Sequence, residues 1–179
     1  MTTYDASRAK LDELRVDALY GKKQHFNAAD RKQRCSMRLG IAAMMINTIL
    51  CSLLFGLASS TFPEEMKWIG AALALVSTGL TGLQTFLNLQ KDAEGHKRIA
   101  NRFLSISKEC GRLSAYYQDG VYLPEELRKQ LESLAKEYDQ VCMDAELFPT
   151  NKQDYWKAQR GFKSGEESYT KKELKSQGR

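Results

Sequence analysis

The 179-residue chain is long enough for one domain with a sizeable core. Its composition, 42% hydrophobic and 27% charged with a net charge of +5, is that of an ordinary soluble protein. The mean hydropathy of −0.49 would also argue against a membrane protein, but that average hides a strong segregation along the sequence.

In chain order, Tyr4 to Tyr20 is amphipathic, with a short apolar stripe of Leu11, Leu14 and Ala18. It reads as a helix packed on later elements. A second segment, "HFNAADRKQRCSMR", leads into "LGIAAMMINTILCSLLFGLASSTFP", which has no Asp, Glu, Lys, Arg or His from Leu39 to Pro63. A second uncharged run extends from Trp68 to Gln90. As helices of about 25 and 23 residues, the two runs reach roughly 37 Å and 34 Å. A bilayer hydrocarbon core is about 30 Å thick, so both are long enough to span it. Only Glu64 to Lys67 separates them. Pro63, Glu64 and Glu65 suit a helix start, so the spans form a tight hairpin. A cleaved signal peptide is excluded, because the first run begins too late and is too long.

Lys22, Lys23, Arg31, Lys32, Arg34 and Arg38 precede the first span, and Lys91, Lys97, Arg98 and Arg102 follow the second. The turn offers Lys67 alone. Basic flanks stay on the cytoplasmic side, so both termini are expected there. Membrane lipid accounts for the positive charge. With the basic residues at membrane ends and no recognition motif, no nucleic-acid partner is expected.

Beyond the second span, Ile99, Phe103, Ile106, Cys110, Leu113 and Tyr117 recur at heptad spacing. Asp119-Gly120 ends that helix, and the long helix could run back into the second span without a break. Pro124 opens the next helix, striped by Leu127, Leu131, Leu134, Tyr138 and Val141. The two stripes predict an antiparallel pair whose seam also stabilises an oligomer. Phe148-Pro149 stops the second helix. Thr150 with Gln153 resembles a capping box opening a short segment with Tyr155 and Trp156. Beyond Gly161 the polar tail reads as disordered.

The expected fold is therefore an all-α membrane protein: 1–38 cytoplasmic and amphipathic, 39–90 a transmembrane hairpin, 91–160 a cytoplasmic helical hairpin with a short cap, and 161–179 the tail.

The second span carries the functional question. At about 100° per residue, Gly70, Ala74, Ser77, Thr81, Gln84 and Asn88 fall on one face, and Val76, Leu80, Leu83 and Leu87 on another. In the first span Gly40, Asn47 and Cys51 share a side, interrupted by Leu54. Small and hydroxylated residues let membrane helices pack closely. Uncharged polar side chains also line water-filled paths. Two helices enclose no lumen, so that second reading requires a homo-oligomer. Both readings stand, and they are compatible in different states.

No catalytic constellation is visible. Cys35, Cys51, Cys110 and Cys142 are scattered and expected to be free thiols. His25 and His96 read as surface or interface histidines. Glu64/Glu65 and Glu125/Glu126 read as helix-start charges, and no phosphate-binding glycine loop, metal site or cofactor motif occurs. The chain is not expected to be an enzyme.

"KKQHFNAADRKQR", "PEEMKWIGAALAL" and "GLQTFLNLQKDAEGHKRIANRFLSI", with a helical hairpin following, resemble the SLATT family from Lys22 to about Tyr155. The block from Gln84 to Leu104 carries the resemblance most strongly. It implies a bacterial two-transmembrane effector, associated with nucleotide-signalling partner proteins, that permeabilises the inner membrane in CBASS-type antiphage defence. A non-conducting membrane anchor or signalling scaffold is the alternative, with the cytoplasmic helices binding a partner.

Overall fold

The computed structural model describes residues 3–59, 62–121 and 123–167. Regular structure among them is all helical: α1 Thr3–Ala58, α2 Met66–Leu87, α3 Leu89–Gln118, α4 Pro124–Ala145 and α5 Lys152–Lys163. The chain divides into two compact units, one of Met1–Ala29 with Gly95–Arg179 and the other of Asp30–Glu94.

Helix α1 is one uninterrupted element where the sequence suggested separate pieces. Gly21, between the first amphipathic stretch and the segment leading to the span, could have marked a break. It serves instead for close approach, since a Cβ on it would lie 3.0 Å from the Phe103 ring. Conversely, α2 and α3 do not form one continuous helix. Asn88 between them adopts φ 44°, ψ 36°, a left-handed conformation that its short polar side chain tolerates. The helix resumes at Leu89, and the Asp92 amide donates to the Asn88 carbonyl at 3.2 Å.

In the first unit, α3 and α4 lie antiparallel. Arg102 pairs with Asp144, and the Phe103 and Tyr138 rings stand 5.6 Å apart. The Arg102 guanidinium holds the Asp144 carboxyl below its usual range. Gly120 ends α3 with φ 68°, while the Val121 and Gly120 amides return to Tyr116 and Tyr117 carbonyls. That is the left-handed cap expected from Asp119-Gly120. Glu126 reaches back to the Leu123 amide at 3.2 Å, so this acid is a helix-start group.

Both heptad stripes converge on one core. Ile99, Phe103, Ile106, Cys110, Leu113, Leu127, Leu134 and Val141 are buried there. Leu131, Tyr138 and Tyr117 pack against it half-buried. Leu11 and Ala18 of α1 complete it, so the seam is filled within one chain by three helices. Burial pushes the Cys110 thiol up to about 11, which keeps it an inert packing group.

Helix α5 is held more firmly than its composition indicated. Its cap is Asn151 with Asp154, one residue later than the Thr150–Gln153 pairing read from the sequence. The Asn151 side chain accepts from the Asp154 amide at 3.0 Å, and Asp154 accepts from the Asn151 amide at 3.1 Å. Asn27 of α1 donates to the Asp154 carbonyl, and Tyr20 stacks on Phe162 with ring centroids 4.2 Å apart. Past Gly161, where a disordered tail was expected, Glu166 and Glu167 still bond Lys23 and Lys22 at 2.5 and 2.6 Å. Residues 168–179 of that tail lie outside the described residues.

His25 and His96 are not on the surface. Both are buried, with their Nδ1 atoms 3.1 Å apart. One ring must donate from Nδ1 and the other accept there, so both rings cannot be protonated at once. Phe103 and Phe148 flank them. Burial first, then the facing His96 ring, lowers the His25 pKa to about 4, against an opposing pull from Asp154. An unfolded histidine titrates near 6.5. The stabilisation is therefore complete above about pH 6.5 and lost as pH falls from there through 4. Thermal melts should show this unit weakening by on the order of 1–2 kcal/mol across that window, allowing for water that still reaches the ring. A His25→Gln variant should lose that slope. An unchanged profile would refute the assignment.

Candidate functional site in the apolar helix pair

The second unit holds Asp30–Ala58 of α1 and all of α2. The last turn of α1 closes over Phe62, whose ring occupies the space a Cβ on Gly56 would need. A tight turn follows, in which Met66, Lys67 and Trp68 amides donate three residues back to Pro63, Glu64 and Glu65. Helix α2 thus starts at Met66, just after the Pro-Glu-Glu signal. At the far end Lys32 pairs with Asp92 at 2.5 Å.

Three contacts fix the packing. A Cβ on Gly70 would lie 2.8 Å from Leu53 Cδ2. Ser77 donates to Asn47 Oδ1 at 2.6 Å. A Cβ on Gly40 would lie 3.5 Å from Gln84 Nε2. Moving up α1 means moving down α2, so the helices are antiparallel. Gly70 and Ser77 are buried in the contact, and Ala74 and Gln84 are half-buried. Most of the polar stripe therefore packs one helix on the other. The Ser77–Asn47 bond suits a setting without water, where such bonds contribute about 0.6 and at most roughly 2 kcal/mol.

Thr81 and Asn88 are exposed. Asn88 sits at the left-handed break. Thr81, already on the polar stripe, also belongs to a second group, whose members Thr78 and Thr85 the sequence reading passed over. Thr78, Thr81 and Thr85 lie on one outward face of α2, beside Gly82, where a Cβ would meet nothing within 4 Å. Their spacing of three and four was the available signal. Each hydroxyl bonds its own helix: Thr78 to the Ala74 carbonyl at 2.8 Å, and Thr81 and Thr85 to those of Ser77 and Thr81 at 2.9 Å. Thr48 and Ser52 of α1 do the same. Polar atoms satisfied in this way tolerate a lipid-facing position.

The rest of this surface is apolar. Phe55 is 77% exposed, Leu75 75% and Phe86 85%. Among the described residues, two helices are long and apolar enough to cross a membrane, and only 17% and 11% of their most apolar stretches is buried. A soluble core helix would bury most of that surface, whereas a helix in lipid leaves it outward.

The family model for the SMODS and SLOG-associating 2TM effector domain, family 4, matches residues 8–173. The chain belongs to this family. SLATT domains of this kind are two-transmembrane effector domains associated with antiphage systems. Searches of curated proteins and of solved structures gave no match. In this SLATT chain the family match also takes in α5 and the segment clasped by Lys22 and Lys23. Among the described residues, no group of three or more His, Cys, Asp or Glu is placed to hold a metal ion. An open groove of about 320 Å³ lies in the first unit between α1 and α4, with Leu14, Leu131 and Ala135 in it and Glu13, Asp17 and Glu132 around it.

Proposed function

We propose that this SLATT chain oligomerises in the bacterial inner membrane and permeabilises it during antiphage defence, without enzymatic chemistry. A partner protein or second-messenger system supplies the trigger. Both termini are cytoplasmic, since Arg31, Arg34 and Arg38 precede the first span and Lys91, Lys97 and Arg98 follow the second.

The observation that carries this reading is the outward hydroxyl face of Thr78, Thr81 and Thr85. A helix that only anchors a protein has no need of such a face. Uncharged hydroxyls bonded to their own backbone rest against lipid at little cost. Gathered around an axis by several copies, they offer water a wettable wall. An Arg or Asp there would be expensive in the resting state. Ser77 and Asn47, occupied with each other, hold the pair together and do not line the path.

Induced expression together with the trigger should collapse the membrane potential, read with a potential-sensitive dye, before cells lose viability. Polarised cells that carry the inserted protein and the active trigger would support the anchor reading instead. In the same cells, on a cysteine-free background, an impermeant maleimide should label Glu64→Cys and spare Asp119→Cys. The reverse pattern would overturn the orientation.

A further inference from the structure

The outward face of α5 has an unusual composition. Lys152, Tyr155, Trp156, Arg160 and Lys163 lie within about 140° of one another around the helix. Asp154, Ala158 and Gly161 form the opposite side and are buried. Tyr155 and Trp156 are 42% and 56% exposed, with ring centroids 5.8 Å apart. No acidic residue shares the face, and among the described residues Lys152, Arg160 and Lys163 form no ion pair. This face is an aromatic knob within a cationic ring.

The groove between α1 and α4 has the opposite character. Its apolar part is Leu14, Leu131 and Ala135, and its acids are Glu13, Asp17 and Glu132. Lys10 there neutralises Glu13 at 2.7 Å, and Arg128 meets Glu132 at 3.1 Å, which leaves Asp17 to give the groove its negative side. A volume of about 320 Å³ accepts an aromatic side chain.

We propose that the knob on α5 of one copy docks in the α1–α4 groove of a second copy. Trp156 is the anchor in the apolar part of the groove, and a cation of the knob meets Asp17. A chain does not fill its own groove this way. Asn27 and Tyr20 fix α5 along residues 20–27 of α1, whereas the groove begins at Lys10 and ends at Asp17. With α5 held by its buried side, the knob is turned away from its own body. The contact joins two different patches and is heterologous, the kind that builds a ring when the rotation closes. A ring is what the permeation path requires, so this inference rests on the oligomer reading above. It does not depend on conduction.

The test uses the full chain in membranes and reads oligomers by amine-independent crosslinking through an engineered cysteine at exposed Gln118. Trp156→Ala should weaken association about tenfold or more, as expected for a buried aromatic anchor. Reversing the knob (Lys152→Glu, Arg160→Glu, Lys163→Glu) should do the same, as should reversing the groove (Asp17→Lys, Glu132→Lys). Both reversals in one chain should restore oligomers, a rescue that general damage to the fold would not produce. All of these positions except Trp156 are charged and exposed, and helicity by circular dichroism confirms folding. Unchanged oligomers in the single reversals, or no rescue in the combined variant, would overturn the knob-and-groove contact while leaving assembly by another surface. A wild type that stays monomeric with the trigger present would overturn the oligomer reading as well.

Discussion

Phe103→Ala should destabilise the unit built from α3, α4, α5 and the first half of α1 by about 3–5 kcal/mol. Phe103 is 3% exposed. It stands at the point where three helices and the histidine pair meet: beneath Gly21 of α1, beside Tyr138 of α4, and against His25. Truncation removes the ring from water-free contact and leaves a cavity. Rigid helices around it relax only in part, so the loss exceeds the transfer energy alone. His25 would then gain a water path, which raises its pKa and weakens the acid sensitivity described above. Phe103→Leu keeps most of the volume and should cost less than about 1.5 kcal/mol. Lys108→Ala, at an exposed site on the same helix, should stay within about 0.5 kcal/mol. Denaturation of the purified protein in detergent measures all three. A Phe103→Ala melt equal to that of Lys108→Ala would mean the three-helix core is wrong.

The second large effect falls on function. Replacing Thr78, Thr81 and Thr85 together by Leu should cut ion flux at least about tenfold, because an apolar constriction sheds water. Insertion should not suffer. Thr78 and Thr85 are exposed away from α1, Thr81 borders the stripe that packs on it, and Leu inserts into a bilayer readily, so crosslinking of the variant is read beside its flux. Thr→Ser at all three keeps the hydroxyls and should conduct. Ser77→Ala separates this from helix packing: it deletes the bond to Asn47, so assembly or stability should change before conductance does. Normal flux through the Leu variant would remove the threonine face from the path.

Much of the fold was legible because periodicity reports burial. The stripe from Ile99 to Tyr117 and that from Leu127 to Val141 both lie in or against the core. What periodicity does not report is the occupant of the facing surface. It placed Ser77 on a polar stripe, but the choice between a lumen and a neighbouring helix depended on the depth at which Asn47 meets it. For the same reason Leu131 and Leu134, candidates for an oligomer seam, pack within the chain's own core. Aspartate at those positions would report on folding before assembly. The histidine pair was hidden by sequence distance, since His25 and His96 meet only when α1 and α3 pack. Gly21 read as a possible break in α1, and its role as a seat for Phe103 has no local signature. Asn88 broke a helix that contained no proline, through a left-handed conformation that its side chain permits but does not require. The threonine face was within reach of the sequence. The polar stripe took in Thr81 but not Thr78 and Thr85, whose hydroxyls bond their own backbone on the adjoining side of the helix.

Flux from purified wild-type protein in sealed liposomes tests the central claim most directly. Vesicles loaded with a self-quenched dye and a potassium gradient receive the protein over a range of densities, with its trigger, and crosslinking of the same samples gives the oligomer fraction. Leakage should appear only where oligomers do, should rise more steeply than the first power of protein density, and should vanish in the Thr78→Leu, Thr81→Leu, Thr85→Leu variant. Vesicles that hold both dye and gradient at densities where crosslinking shows abundant, triggered oligomers would contradict the permeation account.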